Sequence, residues 1–126
     1  VNSKTGGQNR QSIAVDEQIL DQTVLEDLRK LLDDDFQLFI KTFLHDMDHR
    51  CQVIVNATAI QDLDVVRHAA HSLKGSACNL GAHLLTNICA LLETAARDGD
   101  VEQIKTSTQD LEQQRHQVRN RISQLA

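Results

Sequence analysis

Not one proline interrupts the 126 residues of this chain, so nowhere does the sequence itself remove a backbone donor or force a kink inside a helix. Five glycines, an aromatic content of three phenylalanines and few clusters of β-branched residues push the same way: long helices are expected and a sheet is not. A chain of this length makes one domain. It buries about two-thirds of its unfolded surface, enough for a real core.

Apolar spacing marks out the helices. A short helical segment is expected around Asp16 to Leu20. The next helix starts near Asp21, a suitable N-cap, and carries Val24, Leu25, Leu28, Leu31 and Leu32 at helical spacing. From about Asp34 to Ala59, Phe36, Ile40, Phe43, Met47 and Ile54 share a face with Phe39 and Leu44 flanking; the acidic run Asp33, Asp34 and Asp35 complements a helix N-terminus. Asp62 or Asp64 caps a third stretch, which stops near Gly81. Leu84, Leu85, Ile88, Leu91, Leu92 and Ala95 define a fourth, ending at Asp98 and Gly99. The last runs from about Val101 to Leu125 with Ile104, Leu111, Val118, Ile122 and Leu125 inward. Short turns between long helices predict an all-α fold: an antiparallel up-and-down four-helix bundle with a short extra N-terminal helical segment. Residues 1–14, polar and carrying Gly6 and Gly7, read as a flexible tail or linker. A first residue that is valine suggests a piece of a longer protein.

The formal charge of −5, from 13 Lys and Arg against 18 Asp and Glu, supplies no basic patch of the kind nucleic acid requires, so no nucleic-acid partner is expected. No apolar run reaches the length of about 20 residues that a membrane span needs, and no direct membrane contact is expected. Cys51, Cys78 and Cys89 are odd in number and lack CxxC spacing, which fits free thiols in a reducing compartment. All three read as small packing residues.

The most informative run is Ala70-His71-Ser72-Leu73-Lys74-Gly75-Ser76-Ala77-Cys78-Asn79-Leu80-Gly81-Ala82. On a helix advancing about 100° per residue, Val66, Ala70, Leu73, Ala77 and Leu80 form one narrow inward stripe. His71 then lies roughly 140° from the centre of that stripe, facing outward. Lys74 and Gly75, at i+3 and i+4, are its surface neighbours: one supplies charge, the other leaves a gap. A mid-helix glycine costs about 1 kcal/mol relative to alanine; close helix packing or mere tolerance is the ordinary reason for one, but Gly75 points away from the core stripe, which favours a flat surface for a partner's approach.

The other polar groups carry less. His45 and His49 stand at i and i+4, a metal-compatible spacing, without a third ligand nearby; no metal site is assigned. His68, one turn before His71, is a candidate for tuning charge at a partner site. His83 and His116 form no constellation. Glu93 and Arg97, one turn apart, bring opposite charges to one face, as an ordinary surface ion pair does. No glycine-rich nucleotide loop and no Gly-x-Ser-x-Gly elbow occurs, so phosphate cannot come from ATP bound by this chain.

The run from His71 resembles the signature of the histidine-containing phosphotransfer (HPt) domain, His-x-apolar-Lys-Gly-small-small-x-polar-apolar-Gly. His71, Lys74, Gly75, Ser76, Ala77, Asn79 and Gly81 occupy its specified positions. Leu92-Glu93 and the stretch from Ala96 to Asp100 resemble the family's next helix and turn, so that 15–126 reads as the HPt domain. The resemblance implies a phosphocarrier in a multistep His-Asp phosphorelay of two-component signalling, not an enzyme. His71 would be the phosphoacceptor, attacking through Nε2, with Lys74 stabilising the phosphoryl group and Gly75 giving docking clearance. Glu93, where the family commonly presents a polar side chain, and Arg97, where some members carry a basic one, would stand behind His71, and His68 is kept from spacing as a further neighbour of the site. Water and Glu93 remain alternative acceptors for Nδ1–H.

The implied partners are receiver domains of a hybrid sensor kinase and of a response regulator. Mg²⁺ would be expected on the receiver and no cofactor on this domain, which would be cytoplasmic, free-standing or at the cytoplasmic C-terminal end of a membrane sensor kinase. Two rivals are a phosphoacceptor domain of a chemotaxis-type kinase and a helical adaptor without chemistry.

Overall fold

A computed structural model describes residues 15–125, all of whose regular structure is helical; the proposed tail, residues 1–14, lies outside them. A helical turn at residues 15–19 closes with Leu20 N–H donating to the Asp16 carbonyl at 3.0 Å. Then come α1 (Gln22–Leu32), a 3-10 turn (Asp33–Asp35), α2 (Phe36–Ala59), α3 (Leu63–Leu80), α4 (His83–Asp98) and α5 (Val101–Ser123).

Three of the five helices, α1, α3 and α5, start where an aspartate side chain satisfies orphan N–H groups. Asp21 accepts from Thr23 and Val24 N–H, Asp62 from Val65 N–H and Asp100 from Gln103 N–H; each such cap contributes about 1 kcal/mol. Of the two capping candidates for α3, Asp62 serves. Gly81 and Gly99 close α3 and α4 at φ +78 and +71, where a β-carbon is costly.

The turns are short, so consecutive long helices lie side by side: α2 packs on α3, α3 on α4, α4 on α5, and α5 closes back onto α2. Val66, Ala70, Leu73, Ala77 and Leu80 are fully buried, as their stripe requires. They meet Met47, Ile54, Leu85, Leu92, Leu111 and Val118 in one core. Each large side chain there contributes about 1.5–3 kcal/mol by leaving water. Outside the core, Asp48 of α2 pairs with Arg115 and Arg119 of α5.

Three expectations about burial fail for one geometric reason. Leu31 is 79% exposed and Leu91 50% exposed. In α1 the inward positions are Leu25, Leu28 and Leu32, and in α4 they are Leu85, Cys89, Leu92 and Ala96; around a 3.6-residue helix Leu31 lies about 90° and Leu91 about 130° from the centres of these stripes. Cys78 is also exposed, whereas Cys51 and Cys89 are buried, because Cys78 stands beside the α3 stripe, two turns beyond His71 on the outward face.

Candidate functional site

Leu73, at the centre of the α3 stripe, is fully buried, and that anchoring turns His71 outward with 66% of its side chain exposed. Across the seam, Leu92 is buried and Glu93, the next residue of α4, comes to the boundary with α3, its side chain 24% exposed. The two meet: His71 Nδ1 lies 2.8 Å from Glu93 Oε2. The other carboxylate oxygen, Oε1, accepts from Lys74 Nζ at 2.5 Å. One carboxylate thus bridges the imidazole and the ammonium.

The bridge sets protonation. Hydrogen bonding from the Lys74 ammonium holds the Glu93 carboxyl below the usual carboxylate range; the His71 contact adds to this, and partial burial opposes it. An ionised carboxylate only accepts, so Nδ1 carries the proton and donates it to Glu93. Of the two acceptors open to Nδ1–H from sequence, the protein supplies Glu93. With Nδ1 protonated, the neutral tautomer of the ring carries its lone pair on Nε2, which makes no hydrogen bond among the described residues. Chemically this is an oriented nitrogen nucleophile facing solvent.

Gly75, also exposed, leaves open space beside it: a β-carbon built there would meet nothing within 4 Å. Beyond it, α2 and α3 enclose a shallow groove of about 330 Å³ lined in part by Phe39, Thr42, Asp46, Ser76 and Asn79.

The remaining candidates stand apart from the bridge. His68 is exposed with Nδ1 2.8 Å from the Asp64 carbonyl, in the groove between α2 and α3 that also holds His49 and Val53. Arg97 does not pair with Glu93. Its Nε lies 3.2 Å from Asp98, because Lys74 and His71 already occupy both carboxylate oxygens. The expected ion pair along α4 is replaced by one across two helices. His45 and His49 find no third partner: among the described residues no three metal-binding side chains gather.

Two groups stand outside the motif pattern. His83 Nε2 lies 3.0 Å from Asp21 Oδ2, and Asp21 N–H donates to the Gly81 carbonyl, so the start of α1 is clamped to the α3–α4 turn. No local spacing signals this contact, which spans 62 positions. Arg67 lies four residues before His71 on α3; that spacing is legible in the sequence and makes it a surface neighbour of the imidazole.

The chain is similar to known phosphorelay and phosphotransfer proteins. The Phosphorelay protein LuxU of Vibrio vulnificus strain YJ016 is 28% identical over 67 residues, 53% of this chain, and the same protein of strain CMCP6 matches equally. The matched stretch spans 58% of the length of these curated relatives. The crystal structure of histidine-containing phosphotransfer protein B (HptB) from Pseudomonas aeruginosa PAO1 superposes with a TM-score of 0.81 at 32% identity, covering 84% of this chain and 92% of that one. The Hpt domain family model matches residues 38–126, from early α2 to the last residue. With most of its length so matched, and with His71 displayed from α3, the second of its four long helices, the chain belongs to the Hpt domain family.

Proposed function

We propose that this domain is a phosphocarrier in a multistep His-Asp phosphorelay, taking a phosphoryl group from the aspartyl phosphate of one receiver domain and passing it to the aspartate of another. One observation carries the reading: His71 is exposed while its Nδ1 is held by Glu93 at 2.8 Å, so Nε2 alone is free to react.

In the forward step the Nε2 lone pair forms a bond to phosphorus while the phosphorus–oxygen bond to the donor aspartate breaks, its electron pair leaving with that carboxylate. Nδ1 keeps its proton throughout. The product ring is therefore cationic, stabilised by the Glu93 carboxylate, and remains a good leaving group for the reverse chemistry onto a second receiver. Transfer of this kind depends on alignment and on charge around the equatorial oxygens. Lys74 contributes charge and holds Glu93 in place; Gly75 leaves room for the partner. The receiver brings its own Mg²⁺ and acidic residues, and this domain works without a cofactor or an ATP site of its own. We take the functional domain as residues 15–126 and its long helices as an antiparallel up-and-down four-helix bundle, which the ring of helix contacts and the short turns support. We place it in the cytoplasm, where receivers would meet it. Among the described residues no helix is long and apolar enough to cross a membrane.

Mixing the chain with receiver domains carrying aspartyl phosphate tests the reading. Acid-labile, alkali-stable phosphate on His71, absent from His71→Gln, is the expected outcome. Labelling of the variant at the wild-type rate would overturn it. The chemotaxis-type alternative predicts labelling by an ATP-loaded kinase core but not by a receiver; the similarity to a phosphorelay protein favours the receiver.

A further inference from the structure

We propose that Arg67 is a second phosphoryl-binding residue, whose guanidinium closes on the phosphoryl group once it is attached to His71 Nε2. The assignment rests on the reading of His71 as the phosphoacceptor, and three observations beyond it lead to Arg67.

The first is that Lys74 is already engaged. Its ammonium is 2.5 Å from Glu93 Oε1 and its side chain is only 33% exposed, so the cation on the C-terminal side of His71 is committed to the carboxylate that holds Nδ1. Pulling it fully onto the phosphoryl group would release that carboxylate.

The second is direction. Side chains on an α-helix lean toward its N-terminus and cover the preceding turn. By that lean the His71 side chain is directed toward the turn containing Arg67, whose β-carbon is about 5–6 Å from that of His71 at this spacing, while the Arg67 guanidinium reaches back to Asp64. Arg67 is therefore the neighbouring cation on the N-terminal side of a phosphoryl group carried by His71.

The third is that Arg67 is held weakly. Its ion pair is with Asp64 at 4.0 Å, beyond hydrogen-bond length, and Asp64 is 88% exposed. Contacts of this kind give way readily. A guanidinium offers five donors in a planar fork suited to two phosphoryl oxygens at once. Exchanging a loosely held monoanion for a dianion on the neighbouring turn is the favourable direction. No bond to phosphorus is made or broken by Arg67; it binds the phosphorylated state.

The test needs no partner protein. The intact chain is phosphorylated with potassium phosphoramidate, the labelled histidine is mapped, and the phosphoryl resonance is followed by ³¹P NMR as pH is varied. A nearby cation favours the dianion, so the apparent second ionisation of the phosphoryl group should rise in Arg67→Gln by about 0.3–0.7 pH units, a two- to fivefold change typical of one exposed ion pair. Arg67→Lys should recover part of the shift, and Arg97→Gln should move it less, since Arg97 already has Asp98 beside it. A titration of Arg67→Gln superimposable on wild type overturns the assignment, as does a shift produced by Arg97→Gln alone. Failure of the chain to accept phosphate from any receiver, with phosphoramidate still labelling His71 and the Arg67 shift present, would count against the relay reading and leave the Arg67 assignment standing. If phosphoramidate labels other histidines and not His71, both fall.

Discussion

Across the α3–α4 seam, the Glu93 carboxylate accepts a hydrogen bond from Nδ1–H of His71 at 2.8 Å. That contact fixes the ring's tautomer and orientation at once, and places the reactive lone pair on the outward nitrogen. Glu93→Ala should leave Nδ1–H to water and slow single-turnover phosphoryl transfer by about 10- to 100-fold, the effect of losing a charge-assisted hydrogen bond of about 1.5–3 kcal/mol. Glu93→Gln keeps an acceptor oxygen and should recover much of the rate. Equal rates for wild type and Glu93→Ala would remove Glu93 from the mechanism.

Lys74→Ala should slow transfer by about 10- to 1,000-fold, as loss of one electrostatic contact to a developing charge does, with only a modest fall in melting temperature, since the side chain lies outside the core and gives up its pair with Glu93 alone. Since Lys74 also bonds Glu93, the effects of Lys74→Ala and Glu93→Ala should fall short of additivity in the double variant. Full additivity would mean that Lys74 acts independently of the bridge.

The two glycines that bound this half of α3 should respond in opposite ways. Gly75 faces open space, so Gly75→Ala should stabilise the free domain by up to about 1 kcal/mol, and Gly75→Gln should block receiver binding without unfolding. Gly81 sits at φ +78, and a β-carbon there would come within 2.9 Å of Asp21 and Val24 side chains. Gly81→Ala should therefore cost at least about 1–3 kcal/mol for the backbone conformation alone. Urea melts of the two alanine variants check both signs.

Thiol chemistry should separate the cysteines. Burial pushes the Cys51 and Cys89 thiols up to about 12, whereas Cys78 is exposed; the thiolate is the reactive form. An aromatic disulfide reagent should titrate Cys78 rapidly in the native protein, and Cys51 and Cys89 only on unfolding. A bound receiver that covers Gly75 should slow the Cys78 reaction as well.

Acid should weaken the fold through two bridges. The Asp21 carboxyl is lowered chiefly by its hydrogen bond with His83, and that of Glu93 chiefly by Lys74. A carboxyl whose folded-state value lies below its unfolded value binds fewer protons in the folded state. Its stabilisation is therefore fully present above the usual carboxylate range and is lost as pH falls through that range toward the lower folded value. Stability measured from pH 6 downward should decline less steeply in Asp21→Asn and in Glu93→Gln than in wild type. A parallel decline in all three would show that neither pair is linked to folding.

Much of this was legible from local spacing. The α3 stripe, the outward turn of His71, its neighbours Lys74 and Gly75, the cap at Asp21 and the terminal glycines Gly81 and Gly99 all depend on residues within one helix or beside its end, where 3.6-residue periodicity and capping chemistry decide the outcome. Spacing also allowed a pair between Glu93 and Arg97, and there it chose wrongly. Glu93 turns instead to a histidine 22 positions away and a lysine 19 positions away. The same holds for His83, which finds Asp21, and for the cysteines, of which Cys51 and Cys89 enter the core while Cys78 does not. Periodicity sets the direction of a side chain about its own helix axis, but it leaves free how neighbouring helices rotate and slide against one another. Packing of Leu73, Leu80, Leu85 and Leu92 in a single core removes that freedom, and only then does one carboxylate of α4 come level with the imidazole of α3.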